Sequence, residues 1–239
     1  METSTLPESA SGNYAPAAGR LHTTFLLAIL MAWAFLGRIM VGRMQTEANP
    51  HRMRFYLLTL VFEWLVFAYV IAGVRRHGQP AQIVWGTRWR SFGQFARDIG
   101  IASAFWIVAA ALLFIVAELL HVEAARQNLQ FLLPQGALEL ALWIALSISA
   151  GICEETIFRG YLQRQFMAFT RSAPAGILLS AAAFGAGHAY QGSRMVILIG
   201  VYGVLFGILA HWRGSVRPGM IAHAWQDSLD GLIAVIKLR

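Results

Sequence analysis

The sequence predicts an all-α fold: a polytopic integral membrane helix bundle of about seven spans, with an interfacial amphipathic segment. Hydrophobic residues make up 57% of the 239 residues and charged residues only 13%, whereas soluble domains are typically about 45–50% apolar and about 25% charged. The arginines cluster at the ends of apolar runs, as they do in the loops of membrane proteins. The formal charge of +7 therefore reflects membrane topology, and nucleic acid is not an expected partner.

The apolar runs divide the chain into a short tail and one bundle. Residues 1–20 lack helical periodicity and are predicted to be a disordered N-terminal tail, whereas residues 21–239 form a single bundle without internal repeats. Aromatic residues and arginines mix in residues 78–97, a pattern typical of a segment that lies on the membrane surface. The predicted spans are, in chain order, 21–42, 55–74, 99–120, 137–169, 174–190, 195–212 and 216–236.

Two glutamates and an arginine interrupt the fourth predicted span. An ionisable group inside a bilayer costs about 2.5–3.5 kcal/mol on insertion scales, so it is found where it faces protein or trapped water and has a function. Glu155 and Arg159 are four residues apart with the acid first, the favoured order for an ion pair on a helix. Glu154 points about 100° away and stays free to handle a proton. This asymmetry is what an acid–base site needs.

Two later spans carry buried polar residues at a similar depth. His188 lies in the fifth span, and His223 and Asp227 share one face of the seventh because they are four residues apart. Counting about 1.5 Å per residue from the intervening bend puts Glu154 and His188 about one helical turn apart. His223 falls about two turns short, a difference that helix tilt or a bend would absorb. We therefore expect the three helices to bring their polar residues into one site.

Two further residues in the apolar runs have structural interpretations. Glu63 lies at the centre of the second span, and we interpret it as a buried acid paired with a neighbour such as Arg38 rather than as a residue of the active cavity. Cys153 is the only cysteine, which excludes an internal disulfide, and we interpret it as a small buried packing residue.

The order of these polar residues resembles a known family. The chain reads Glu-Glu-x-x-x-Arg-Gly from Glu154, then Phe-x-x-x-His ending at His188, then His-x-x-x-Asp from His223. This is similar to the CPBP family of intramembrane endopeptidases, which includes the type-2 CAAX prenyl proteases and bacterial Abi or bacteriocin-processing proteins. The similarity covers about residues 135–230, the expected protease-like core. Prenyl proteases usually have Asn in place of Asp227, and an ionised Asp does not donate the hydrogen bond to an oxyanion that an Asn donates.

The resemblance implies an intramembrane endopeptidase with a cavity between membrane helices. Glu154 would activate a water molecule held by two histidines, and no cofactor is expected for this mechanism. The alternative is a Zn²⁺ enzyme in which Glu154, His188 and His223 are the metal ligands. The candidate catalytic residues are Glu154, Glu155, Arg159, His188, His223 and Asp227.

Two other functional classes stay open. A non-catalytic membrane scaffold of the bacteriocin-immunity type would keep the fold without turnover. A proton-coupled transporter would also place Glu and His in the membrane, but it predicts inverted repeats or broken helices, which the sequence does not show. The expected partners are a peptide or lipidated-protein substrate and membrane lipid, with no indication of the oligomeric state. The expected location is the bacterial inner membrane.

Overall fold

The computed structural model describes residues 15–47, 50–86 and 88–237, and in these residues the protein consists of helices and their connections. The predicted all-α fold is confirmed. The α-helices are α1 (Arg20–Met44), α2 (Arg52–Arg76), α3 (Phe92–Leu120), α4 (Glu123–Gln127), α5 (Ala137–Glu154), α6 (Gln163–Thr170), α7 (Ala173–Gly187), α8 (Ser193–Arg213) and α9 (Arg217–Lys237). Short 3₁₀ turns lie at Ala81–Val84, Gln130–Leu132 and Ala189–Gln191.

Five helices are long and apolar enough to cross a membrane: α1, α2, α3, α8 and the continuous helix Ala137–Thr170. Large apolar side chains on their outer faces, such as Phe25, Leu65 and Ile115, are more than half exposed, as expected of a surface that faces lipid. Helix α7 is apolar but has only 15 residues, and α9 has 21 residues with several polar side chains. The predicted class of membrane bundle is therefore confirmed, and the predicted count of seven spans is not.

The helix that begins at Ala137 contains a central π-helical segment, Glu155–Leu162, between α5 and α6. All eight residues of this segment are buried. π-Helical turns are rare and occur frequently at functional sites. The sequence predicted the length of this helix, from residue 137 to about residue 169, but not the change in its winding.

The 3₁₀ turn at Ala81–Val84 packs against the π segment. The Trp85 indole nitrogen donates a hydrogen bond to Thr156 Oγ1 at 3.0 Å. Gly160 lies so close to the Val84 carbonyl oxygen that a Cβ atom would collide with it. The N-terminal part of the predicted interfacial segment is thus packed against the helix that carries the glutamates, because Gly160 permits this close approach.

Helix α5 packs against α2 and α9, and α7 packs against α8 and the π segment. The largest hydrophobic core lies where α1, α2 and the π segment meet, and it includes the fully buried Leu26, Val70 and Tyr161. The N-termini of α2 and α5 are joined by an ion pair between Arg52 Nε and Glu139 Oε2 at 2.9 Å. Residues of α2, α5 and α9 line one cavity, together with residues of α3, α7 and α8.

Of the predicted tail, residues 1–20, the first 14 residues lie outside the part of the chain that the structure describes. Of the part that the structure describes, Ala17 and Ala18 are buried. Their backbone N–H groups donate to Gln165 Oε1 at 2.6 and 3.3 Å, and α1 begins at Arg20. This end of the predicted tail is therefore fixed to the long helix, because Gln165 satisfies its backbone groups.

Candidate active site

Glu155 and Arg159 form the ion pair that their spacing predicted. Arg159 Nη1 donates to Glu155 Oε1 at 2.9 Å, and both side chains are almost completely buried. The guanidinium carbon of Arg159 lies 4.2 Å from the ring centroid of Phe184 and 5.0 Å from that of Phe206. One carboxylate and two aromatic faces therefore compensate a positive charge that would otherwise be costly to bury.

His223 on α9 connects both glutamates of the long helix. Its Nδ1 atom lies 3.1 Å from Glu155 Oε1, and the contact satisfies the hydrogen-bond criteria. Its Nε2 atom faces two other carboxylates, with Glu154 Oε2 at 3.7 Å and Asp227 Oδ2 at 3.5 Å. The ring thus lies between a fully buried carboxylate on one side and two partly exposed ones on the other.

The two helices meet this closely because α9 presents a glycine to Glu155. A Cβ atom built on Gly219 would lie 3.0 Å from Glu155 Oε2, which is closer than side chains normally pack. On the α5 side, Gly151 has the same function, since its Cβ would lie 2.7 Å from the Met220 carbonyl oxygen. A glycine on each helix therefore brings the backbones together where His223 contacts the glutamates.

His188 follows the last residue of α7. Its Nδ1 atom lies 2.9 Å from the Phe184 carbonyl oxygen, and since a carbonyl only accepts, Nδ1 carries the proton. The Nε2 atom of His188 is then available as a hydrogen-bond acceptor. Phe184 thus has two roles: its carbonyl orients His188, and its ring packs on Arg159.

A cavity of about 520 Å³ contains the polar groups of the three motifs. Glu154, His188, His223 and Asp227 line its polar part, whereas Glu155 and Arg159 do not line it. The side chains of Glu154 and Asp227 are 18% and 34% exposed, compared with 0% for Glu155. The structure therefore brings the predicted residues together as two layers. Four line the cavity, and two lie behind His223.

Glu63 is a polar residue of this cavity that the sequence interpretation missed. It is buried on α2 and lines the cavity together with Glu154. The predicted pairing with Arg38 is wrong, because no Arg, Lys or His nitrogen in the described chain lies within 4 Å of its carboxylate oxygens. The signal that could have identified it was its position at the centre of an apolar span. Cys153, in contrast, is fully buried as predicted.

The metal alternative requires three converging ligands. Across residues 15–47, 50–86 and 88–237, no group of three or more His, Cys, Asp and Glu side chains is arranged to hold a metal ion. Glu154, His188 and His223 share the cavity but do not form such a set in this arrangement.

The structure is thus a helical membrane bundle with carboxylates and histidines around one cavity. Residues 136–229 match the family described as type II CAAX prenyl endopeptidase, Rce1-like. The match includes all six predicted site residues and confirms the predicted resemblance to the CAAX protease family, over less than half of the chain. Comparisons with curated proteins and with solved structures found no match.

Proposed function

We propose that the protein is an intramembrane endopeptidase in which Glu154 activates a water molecule for attack on a peptide bond. The observation that carries this proposal is the environment of His223. Its ring is fixed by Glu155 on one side and faces Glu154 and Asp227 on the other, at the polar part of a cavity that also contains His188. Structural packing alone does not require this many ionisable groups in one cavity.

Two acceptors are available to orient the attacking water. The Glu154 carboxylate takes one proton from the water. The remaining O–H donates a hydrogen bond to His188 Nε2, which is free to accept it because Nδ1–H is already donated to the Phe184 carbonyl. The water oxygen then adds to the carbonyl carbon of the substrate. The proton held by Glu154 is afterwards given to the leaving nitrogen, which restores the carboxylate.

The oxyanion that forms in this step needs a hydrogen-bond donor. The carboxyl oxygens of Glu155, Asp227 and Glu154 lie 3.1–3.7 Å from the ring nitrogens of His223, and their charge favours the imidazolium form, in which both nitrogens carry protons. His223 Nε2–H is then the donor on the cavity side. A donor fixed in advance at the oxyanion is typically worth about 2.7–4 kcal/mol of barrier.

The rest of the cavity is mainly apolar, with Leu113, Leu132 and Leu198 among its lining residues. It would accept an apolar peptide segment or a lipidated protein, and the family's description makes a prenylated C-terminus the first substrate to test. We propose that the mechanism uses no cofactor and that the protein acts in the bacterial inner membrane.

The test compares the proteins of membranes that contain the wild type with those that contain Glu154→Ala. We expect at least one peptide whose cut requires Glu154. The exposed Glu123 provides the matched control, because Glu123→Ala removes a glutamate away from the cavity and should leave the cut unchanged. Identical peptide profiles for all three membranes, together with no cleavage of a farnesylated CAAX peptide, would contradict the proposal.

A further inference from the structure

Glu63 belongs to a stripe of α2 that faces the cavity. Phe55, Thr59 and Glu63 follow one another at intervals of four residues, and all three line the cavity. Glu63 is the deepest of them, with 6% of its surface exposed. None of these residues lies in the stretch matched by the family model, which begins at residue 136. The N-terminal half of the chain therefore contributes a carboxyl group to the site.

One oxygen of the Glu63 carboxyl is not satisfied by the protein around it. Its Oε2 atom is buried and has no hydrogen-bond partner in the described residues. Its charged neighbours are Glu154, His223 and Asp227, all groups of the site, and Ser149 and Cys153 face it from α5. Because buried polar groups are almost always hydrogen-bonded, we expect the partner of this oxygen to lie inside the cavity.

A carboxyl group that is buried with no Arg, Lys or His nitrogen of the described residues within 4 Å is favoured in its uncharged form, because an ionised one would lose its hydration without a direct ion pair in return. An uncharged carboxylic acid donates one hydrogen bond, whereas a carboxylate only accepts. Glu63 and Glu154 therefore have complementary chemistry: the first is a donor and the second, 18% exposed beside His223, is an acceptor.

We propose that Glu63 is a positioning residue of the site, which donates a hydrogen bond towards the Glu154 carboxylate across the shared cavity and holds it in place for the attacking water. This inference rests on the proposed peptidase function for its consequence, but the hydrogen bond itself does not depend on turnover. A structural role alone would require only that the space at residue 63 is filled.

The first experiment needs no substrate. Infrared spectra of the full-length protein in lipid should contain the carbonyl stretch of a protonated carboxylic acid that disappears in Glu63→Gln. The band should shift in Glu154→Ala, which removes the acceptor, and stay unchanged in Leu65→Ala, an exposed position of α2 that does not line the cavity. The proposal would be overturned if no band depended on Glu63, or if the band had the same position in Glu154→Ala as in the wild type.

The second experiment measures cleavage of a farnesylated CAAX peptide, or of the peptide whose cut requires Glu154. Glu63→Gln keeps a hydrogen-bond donor and should retain kcat, whereas Glu63→Leu fills the space without one. We expect kcat of Glu63→Leu to fall about 10–100-fold with KM unchanged, the loss typical when the partner that orients a working group is removed.

Leu65→Ala again provides the control and should match the wild type. Full kcat in Glu63→Leu would overturn the positioning role and leave the peptidase function standing. Absence of any cleavage that requires Glu154, in the wild type as well, would instead contradict the peptidase function, and the positioning role with it.

Discussion

The Nδ1 atom of His223 lies 3.1 Å from Oε1 of Glu155, and this hydrogen bond joins α9 to the π segment of the long helix. Because a carboxylate only accepts, Nδ1 carries the proton, and the other ring nitrogen is the one that faces Glu154 and Asp227. The same Glu155 oxygen accepts from Arg159 at 2.9 Å. Glu155 therefore orients His223 as well as pairing with Arg159.

The two glutamates should respond differently to neutralisation. Glu155→Gln leaves Arg159 buried without an opposite charge and weakens the acceptor of His223, so both folding stability and activity should fall. Breaking a buried pair typically costs about 3–5 kcal/mol. Glu154→Gln should abolish cleavage with little loss of stability, because Glu154 lines the cavity. Thermal unfolding in detergent measures the difference, and equal destabilisation of both variants would contradict this assignment.

Gly219 tests the close approach of α9 to Glu155. In Gly219→Ala the new Cβ would lie 3.0 Å from Glu155 Oε2, so Glu155 or α9 must shift and His223 must move with them. We expect a loss of about 1–3 kcal/mol of stability, as for other overpacked sites, and reduced cleavage. Gly100→Ala is the control, since nothing lies within 4 Å of its Cβ position and alanine favours the helix. Equal stability of the two variants in thermal unfolding would argue against tight packing at Gly219.

Phe184 tests the environment of the buried Arg159. Phe184→Leu removes the aromatic face 4.2 Å from the guanidinium carbon but keeps the backbone carbonyl that orients His188. A desolvated cation–π contact contributes about 2 kcal/mol, so thermal unfolding should show a loss of at least that size. Phe114→Leu, on an exposed residue that also lines the cavity, should cost much less. Equal losses of stability in the two variants would show that the contact between Phe184 and Arg159 contributes little to folding.

The local parts of the site could be predicted from the sequence, because they depend on spacing along one helix. The intervals between Glu155 and Arg159 and between His223 and Asp227 place each pair on one helix face, and the structure shows both pairs within 4 Å. The length of the long helix was also predictable from its apolar pattern. In each case the residues that interact are close together in the chain.

Contacts between helices were harder to predict. If the helices were straight, His223 would lie about two turns from the depth of Glu154. In the structure, Nε2 of His223 lies 3.7 Å from Oε2 of Glu154. The close approach depends on Gly219 and Gly151, whose partners lie on the opposing helix. Glu63 was missed for a related reason. Its neighbours come from α5 and α9, and nothing near it in the sequence indicates them.

The connections between the last three helices predict a topology that labelling can test. If α7 and α8 each cross the membrane, residues after α6 and after α8 lie on one side and the residues that begin α8 on the other. In a Cys153→Ala background, an impermeant maleimide should reach Thr170→Cys and His211→Cys from the same side, and Ser193→Cys from the opposite side. All three positions are exposed. Labelling of Thr170→Cys and Ser193→Cys from one side would show that α7 does not cross.

Substitution of Asp227 distinguishes a water molecule held by protein groups alone from one held by a metal ion. Its Oδ2 atom lies 3.5 Å from Nε2 of His223, where the oxyanion donor is proposed. In a metal-free site, Asp227→Asn should retain or raise activity, because the amide adds a donor where such donors are worth about 2.7–4 kcal/mol. Glu154 and Glu155 still face His223 in this variant and continue to favour its imidazolium form. In a zinc site the same change removes an anionic ligand, or a residue that orients a ligand. Loss of such an orienting residue typically costs about 10–100-fold in metal affinity or activity.

The measurement is cleavage by the wild type and by Asp227→Asn, before and after treatment with a chelator and after zinc is added back. We expect the wild type to keep its activity in the chelator, since the described residues contain no set of three or more His, Cys, Asp and Glu side chains arranged for a metal. Asp227→Asn should be at least as active and equally insensitive. Activity that is lost with the chelator, returns with zinc and is weaker in the Asn variant would refute the metal-free mechanism. The peptidase function itself would still stand in that case, because Glu154 can activate water in either site.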